Sequence, residues 1–292
     1  MRRVPFAAVI ALALLVVGPR VGSAADGALL VDAAWVNARL ADPRVRIVDM
    51  VDEAEDYHKA HIPGAVYLNI NDARIAVPAG GFRLPTADEG QRLLARLGIG
   101  PETQVVIYDD TGGLNAARLF FTLDVFGHGK TAILDGGIQA WRRAGYTLSR
   151  EIPRPGGDGY QPRIDASRVA SAGWVRDRLH DASVRIVDAR SAAEYEGKDR
   201  RAKRGGHIPG AVNIDWRQNL NADGTFKSPG ELRAMYVAKG VTPDKTVVTY
   251  CQTHHRAAHN YFVLRLLDYP RIVGYDRSWV EWGNRDDLPL EQ

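Results

Sequence analysis

Val184-Arg185-Ile186-Val187-Asp188 repeats Val45-Arg46-Ile47-Val48-Asp49 without a single change. Three more pairs follow in the same order. His61-Ile62-Pro63-Gly64-Ala65-Val66 returns as His207-Ile208-Pro209-Gly210-Ala211-Val212, and Val105-Val106-Ile107-Tyr108 as Val247-Val248-Thr249-Tyr250. The stretch from Asp135 to Trp141 is answered by Asp276 to Trp282. Each offset is close to half of the 292-residue chain. That period is far too long for a solenoid and describes a duplicated domain. Between the copies, residues 151–165 carry Pro153, Pro155, Gly156, Gly157, Gly159 and Pro162. Such a composition resists helix and strand and predicts a linker. The first domain is thus expected over 25–150 and the second over 166–292.

Within each copy, short β-branched runs alternate with helical patterns. Val184–Asp188 and Val247–Tyr250 are predicted strands, and Pro229–Lys239 and Ala257–Leu267 predicted helices. Alternation of this kind argues for an α/β fold, each domain a mainly parallel sheet flanked by helices. In such sheets ligands bind at the carboxyl ends of strands. Cys251, the only cysteine, directly follows one of them.

Composition sets the background. Apolar residues make up 45% and charged residues 25%, as in a soluble globular protein able to bury a sizeable core. Arg2, Arg3 and Arg20 equal the whole formal excess of +3, so the remainder has no bulk electrostatic reason to bind nucleic acid or anionic membrane. Those arginines belong to a predicted signal peptide over residues 1–24. Arg2 and Arg3 form its positive start, Phe6 to Val17 its apolar run, and Gly22-Ser23-Ala24-Ala25 its cleavage region. A periplasmic or secreted protein is expected, free of the membrane after cleavage. The apolar run is shorter than the ~20 residues that span a bilayer, although an uncleaved anchor is the competing reading.

A lone cysteine excludes intramolecular disulfides. In an oxidising compartment a free thiol is either buried and inert or retained for chemistry. The duplication offers an internal control, since features of one half alone are candidates for function. His61 and His207 are shared, and so are Trp141 and Trp282, so both pairs read as fold. The second half alone has Cys251-Gln252-Thr253-His254-His255-Arg256, against Asp109-Asp110-Thr111-Gly112-Gly113-Leu114 without gaps. Arg190 stands where the first half has Val51. The thiol and two cations are thus missing together from the first half. Free cysteine has a pKa of about 8.5, so a thiolate nucleophile needs stabilisation. A curled loop before a helix start near Ala257 would aim backbone N–H groups at one point, and Arg256 would add a permanent cation.

These residues resemble the tandem rhodaneses, in which an inactive domain precedes an active one. The resemblance rests on Asp188-Ala189-Arg190-Ser191, on the His207–Asn213 turn, on Tyr250 to Arg256, and on Tyr275-Asp276-Arg277-Ser278-Trp279-Val280-Glu281-Trp282. The loop is similar to that of a bacterial subgroup of thiosulfate:cyanide sulfurtransferases. The resemblance implies two rhodanese-like domains, with Cys251 taking sulfane sulfur from thiosulfate, releasing sulfite, and passing the sulfur to cyanide or another thiophile such as a thiol. It implies donor binding by Arg256, Arg190 and the loop residues Gln252, Thr253, His254 and His255. No cofactor or metal is expected, and a monomer is. The family's mercaptopyruvate branch has a different loop and an arginine where Glu194-Tyr195 stand here, so a 3-mercaptopyruvate sulfurtransferase is the alternative. A non-catalytic binding protein is a weaker one. Cysteine phosphatases have five residues between Cys and Arg, where this chain has Gln252 to His255. A metal site from Cys251, His255 and His259 lacks a nearby acidic or further cysteine ligand in sequence.

Overall fold

The computed structural model describes residues 27–157 and 159–292; the predicted signal peptide lies outside them. Each half forms a parallel sheet. In the first, the order across the sheet is Leu30–Val31, Thr131–Leu134, Gln104–Tyr108, Val45–Asp49 and Val66–Tyr67. In the second it is Ile272–Gly274, Thr246–Tyr250, Val184–Asp188 and Val212–Asn213. The registers agree as the repeat requires, with Asp49 beside Tyr108 and Asp188 beside Tyr250. All strand pairs in these two sheets are parallel. An outer fifth strand of the second sheet survives as one bridge, Val169 to Gly274.

The shared motifs hold the two copies together in the same manner. Tyr108 donates its hydroxyl to Asp49 and accepts the Ile62 N–H (3.1 Å). Tyr250 bonds to Asp188 and accepts the Ile208 N–H (3.2 Å). His61 stacks on Tyr57 at 4.0 Å, and His207 stacks on Tyr195 at 3.6 Å. Both tryptophan indoles donate to carbonyls a few residues on, Thr147 for Trp141 and Pro289 for Trp282. The tyrosine contacts tie a strand end to the turn beside it, and the histidine and tryptophan contacts tie helices to neighbouring turns, which is why these residues recur in both halves.

The central packing is between the halves. Leu114–Val125 and His255–Leu266, the helices that follow the equivalent strands Gln104–Tyr108 and Thr246–Tyr250, lie against each other. Phe120 meets Phe262 edge-on at 4.9 Å, and Phe121 meets Tyr261 at 4.9 Å. One apolar cluster includes both helices and both sheets. Burying each such aromatic contributes about 1.5–3 kcal/mol, so the interface is a core and not a hinge. Asp124, at its edge, accepts from the Tyr261 hydroxyl at 2.7 Å and from Arg168 at 2.9 Å.

Among its described residues, 151–165 holds neither helix nor strand. It is nevertheless anchored along the first domain. The Glu151 carbonyl meets His61 Nε2 (3.0 Å), the Tyr160 hydroxyl meets His128 Nδ1 (2.7 Å), and the Asp165 N–H donates to the Val125 carbonyl (2.7 Å). No helix among the described residues is long and apolar enough to cross a membrane.

Gly274 ends the edge strand Ile272–Gly274 at the place where the halves meet. A Cβ there would stand 2.6 Å from His254 Nε2 and 2.6 Å from the Phe121 ring. Gly274→Ala is expected to destabilise by about 1–3 kcal/mol through overpacking. Urea denaturation should show one cooperative transition at a lower midpoint. An unchanged midpoint would mean that the interface yields freely.

Candidate active site

The strand Thr246–Tyr250 delivers Cys251 to the carboxyl edge of the second sheet, and the chain reaches its next helix at His255. That start is two residues before the predicted one, because His254 turns the chain in the left-handed region (φ 56°) and precedes the helix. Arg256 therefore lies in the first helical turn. A non-glycine residue in that conformation costs about 1 kcal/mol. His254 is held there by Thr249 Oγ1 at 3.2 Å, by Arg118 of the first domain at 3.5 Å, and by the Phe121 ring at 4.3 Å.

The helix positions also correct the alignment of the halves. Both helices have twelve residues, Leu114–Val125 and His255–Leu266. Ala116-Ala117 thus corresponds to Ala257-Ala258, and Arg256 to Asn115 instead of Leu114. The second loop is one residue tighter than the first.

What such a loop is built to hold is visible in the first domain. Asp109, at the end of the equivalent strand, is fully buried. Its Oδ1 accepts the N–H groups of Thr111 (3.0 Å) and Gly113 (2.8 Å), and its Oδ2 those of Asn115 (2.8 Å) and Ala116 (3.0 Å). Burial pushes this carboxyl up, and the four backbone donors pull it down. The strand–loop–helix junction is an anion nest, and in the first domain the chain's own carboxylate occupies it.

Cys251 takes that place in the second domain, buried beside Ala189 and Ala257. Its N–H donates to Ser278 Oγ (3.2 Å), and its carbonyl accepts the Trp279 N–H (2.9 Å). Burial alone would suit an inert thiol equally well. The cations around it do not, since charged groups are brought into an interior only at a cost that a function must justify.

The residues expected to bind the donor divide into distinct settings. Arg256 is partly buried, and its Nη1 and Nη2 meet Glu194 at 2.5 and 2.9 Å. Burial raises the Glu194 pKa, but Arg256 outweighs it and holds the carboxyl at about 2. Arg256 thus faces the thiol as half of an ion pair. Arg190 is 1% exposed and not an open ligand. Its Nε and Nη2 clasp Asp188, at 2.6 Å for the shortest contact, and Nη2 also donates to the Gly206 carbonyl. Its guanidinium lies 4.5 Å from the Trp279 ring. In the first copy no arginine faces the equivalent Asp49, and burial pushes that carboxyl up to about 6. Arg190 is therefore tied to the strand end by Asp188 and the Gly206 carbonyl.

The histidines also turn away from the expected role. His254 is fully buried and faces the first domain. His255 Nε2 meets Asn115 Oδ1, likewise of the first domain, at 2.8 Å. His259 lies between Asn219 (3.1 Å) and the Gly112 carbonyl (3.1 Å), so it does not join Cys251 and His255 as ligands of one metal. Gln252 donates to the Arg201 carbonyl at 3.0 Å. Thr253 is half-buried within the loop.

Sequence reasoning missed the first domain's contribution. Arg118 is fully buried, pairs with Asp276 at 2.6 Å, and supports His254. Ser278, which holds the cysteine backbone, belongs to a motif quoted above without a role. Both lie in stretches that the comparison of halves assigned to scaffold.

The rhodanese-like domain family matches the chain twice, over residues 32–144 and 171–285. Thiosulfate sulfurtransferase of Azotobacter vinelandii is 38% identical over 90% of this chain and 97% of its own length. Thiosulfate sulfurtransferase of Pseudomonas aeruginosa is 35% identical over 91% and 98%. The sulfur carrier protein TtuD of Thermus thermophilus is 37% identical over 90% and 96%. Among solved structures, the anaerobic ergothioneine biosynthesis enzyme from Chlorobium limicola, in complex with trimethyl histidine, superposes with a TM-score of 0.79 at 25% identity. That match covers 90% of this chain and 70% of the other.

Two outcomes test this geometry. Arg190→Ala leaves the Asp188 carboxylate buried and unpaired, and is expected to cost about 3–5 kcal/mol of folding stability in a denaturation measurement. A variant as stable as the parent would return Arg190 to the role of open ligand. The second outcome concerns pH. Burial, with the cations Arg118, Arg74 and Arg256 nearby, holds His254 well below the usual range and His255 at about 3; burial holds His259 at about 4. Unfolded histidines bind protons near pH 6.5, so the unfolded chain takes up protons that the folded one refuses. Stability present above that pH is lost as pH falls from about 6.5 towards 4, with a slope of up to about 4 kcal/mol per unit for three such groups. Replacing His259 with Gln is expected to reduce that slope in pH-dependent urea melts.

Proposed function

The chain belongs to the rhodanese family in its tandem-domain form, and we propose that it is a thiosulfate sulfurtransferase carrying sulfur on Cys251. The observation that carries this reading is the buried Asp109 carboxylate held by four backbone N–H groups. The same junction in the second domain presents a cysteine, so the anion it stabilises there is sulfur.

The reaction follows in two displacements. The Cys251 thiolate attacks the sulfane sulfur of thiosulfate. A new S–S bond forms, the old one breaks, and sulfite leaves with the bonding electron pair. The product is a Cys251 persulfide whose outer sulfur carries the negative charge. The N–H groups at the start of His255–Leu266 and the positive end of that helix stabilise this anion. Arg256 adds its charge, kept in place by Glu194. Cyanide or a thiol then attacks the outer sulfur, and the thiolate is released. In the cyanide case the product is thiocyanate, and every charge balances without a redox partner.

Thiosulfate is the donor this site favours over mercaptopyruvate. A mercaptopyruvate carboxylate needs a cation of its own, and the Arg256 fork already faces Glu194. A non-catalytic binding module has no use for a thiol set among cations. The enzyme reads as a monomer acting on small molecules, exported by residues 1–24 to an extracytoplasmic compartment. N-terminal sequencing of exported protein is expected to begin at Ala25 or Asp26, and recovery of Met1 would refute export with cleavage.

Mass spectrometry of the intact protein after thiosulfate treatment tests the central reading. The wild type is expected to gain one sulfur atom, lost again on adding cyanide. Cys251→Ser should gain none and form no thiocyanate, because a hydroxyl makes no stable persulfide. Thiosulfate:cyanide activity in that variant would overturn the assignment. So would a wild type whose kcat/KM is higher with mercaptopyruvate, though only for the choice of donor.

A further inference from the structure

Thiosulfate arrives with two negative charges, and sulfite leaves with two. The second domain's arginines beside the loop are already engaged. Arg190 is paired with Asp188 at 2.6 Å, Arg256 with Glu194 at 2.5 Å, and Arg201 with Asp199 at 2.8 Å. Arg118, reaching in from the first domain, is paired with Asp276 at 2.6 Å. Arg277 is held by the carbonyls of Phe82 and Gly80, each at 3.0 Å, which fixes it on the hairpin that joins Ile75–Ala76 to Phe82–Arg83.

Arg74 stands apart. It belongs to the first domain, between the 3-10 turn Ile70–Asp72 and the strand Ile75–Ala76. Its Nη2 donates to the neutral Asn71 Oδ1 at 3.0 Å, and no carboxylate among the described residues pairs with it. Its Nε is buried without a partner. The guanidinium carbon sits over the Phe82 ring, 3.7 Å from its centroid. The Phe82 carbonyl in turn holds Arg277, whose neighbour Ser278 receives the Cys251 N–H at 3.2 Å. Phe82 thus touches Arg74 with its ring and, through its carbonyl and Arg277, is linked to the residue that holds Cys251. Burial and the Arg118 charge bring the Arg74 pKa down to about 10, with the Cys251 thiolate and Asp276 acting the other way, so it stays a cation at neutral pH. The Cys251 thiolate charge acts to raise the pKa of Arg74 and of Arg256 alike.

We infer that Arg74, from the domain without a cysteine, binds the sulfonate oxygens of the donor and of the departing sulfite. The inference rests on the thiosulfate reading above and extends it, because it makes the active site a product of both domains. A planar guanidinium braced against an aromatic face, with an unpaired N–H, suits a multi-oxygen anion better than a point charge does.

The test uses the full chain and two readouts. Arg74→Gln keeps a polar, hydrogen-bonding side chain and removes the charge. Its KM for thiosulfate is expected to rise tenfold to a hundredfold, as loss of a charge-assisted contact to a bound anion predicts. Alkylation of Cys251 by iodoacetate, an anion, should slow about tenfold relative to alkylation by neutral iodoacetamide. A purely structural role would slow both alike. Arg74→Lys should keep the iodoacetate preference while KM rises several-fold, since the fork is lost and the charge remains. A folded Arg74→Gln with the wild-type preference, or an Arg74→Lys with the wild-type KM, overturns the inference. A wild type that gains no sulfur from thiosulfate would instead overturn the functional reading beneath it.

Discussion

A β-strand that ends, curls and enters a helix leaves several backbone N–H groups pointing at one small volume. Inside a protein those donors must be satisfied. Here the chain satisfies them twice by different means. In the first half Asp109 folds its own carboxylate into the nest. In the second the same volume is given to Cys251, and the partner is a sulfur that arrives and departs. The remaining features of the site follow from that exchange. His254 holds a left-handed turn that closes the loop one residue sooner, Glu194 orients Arg256, and Arg190 fixes the strand end beside them.

The shared core between the domains decides which surfaces can meet at the Cys251 loop. Because Leu114–Val125 and His255–Leu266 are equivalent helices packed face to face, the two loops that precede them lie near the same interface. His255 reaches Asn115, His254 reaches Arg118, and His259 reaches the Gly112 carbonyl. Three histidines that look like ligands in the sequence are thereby neutral interdomain fasteners, and the interior cations come from both halves.

Much of this was legible in the sequence. The unchanged Val-Arg-Ile-Val-Asp pair marks strands whose register is fixed by burial on both faces, so pattern alone places them. The shared His-Ile-Pro-Gly turn and the paired tryptophans were correctly assigned to fold by their presence in both halves. The same comparison was blind to contacts made across the halves. Arg74 has only the neutral Asn71 as a hydrogen-bond partner close in sequence, and Arg118 meets Asp276 only once the domains dock. Arg190 looked like a ligand because its counterpart is valine, yet the difference concerns whether a buried carboxylate has a cation beside it. The loop alignment slipped by one because no gap was allowed, although the Ala116-Ala117 and Ala257-Ala258 pairs already marked the true offset. Helix starts depend on a single φ, and histidine is not a residue from which a left-handed turn is read.

The linker has a further meaning once the site is seen as shared. Residues 151–165 are fastened to the first domain by Glu151, Tyr160 and Asp165, so they act as a short strap and not a loose string. Were the two halves separate polypeptides, the complete pocket would exist only at concentrations where they associate. The strap replaces that equilibrium with a fixed local concentration, in the millimolar range typical of short tethers. A dilute molecule would then be as well assembled as a concentrated one, and dilution would be unable to separate the sulfur carrier from its charges.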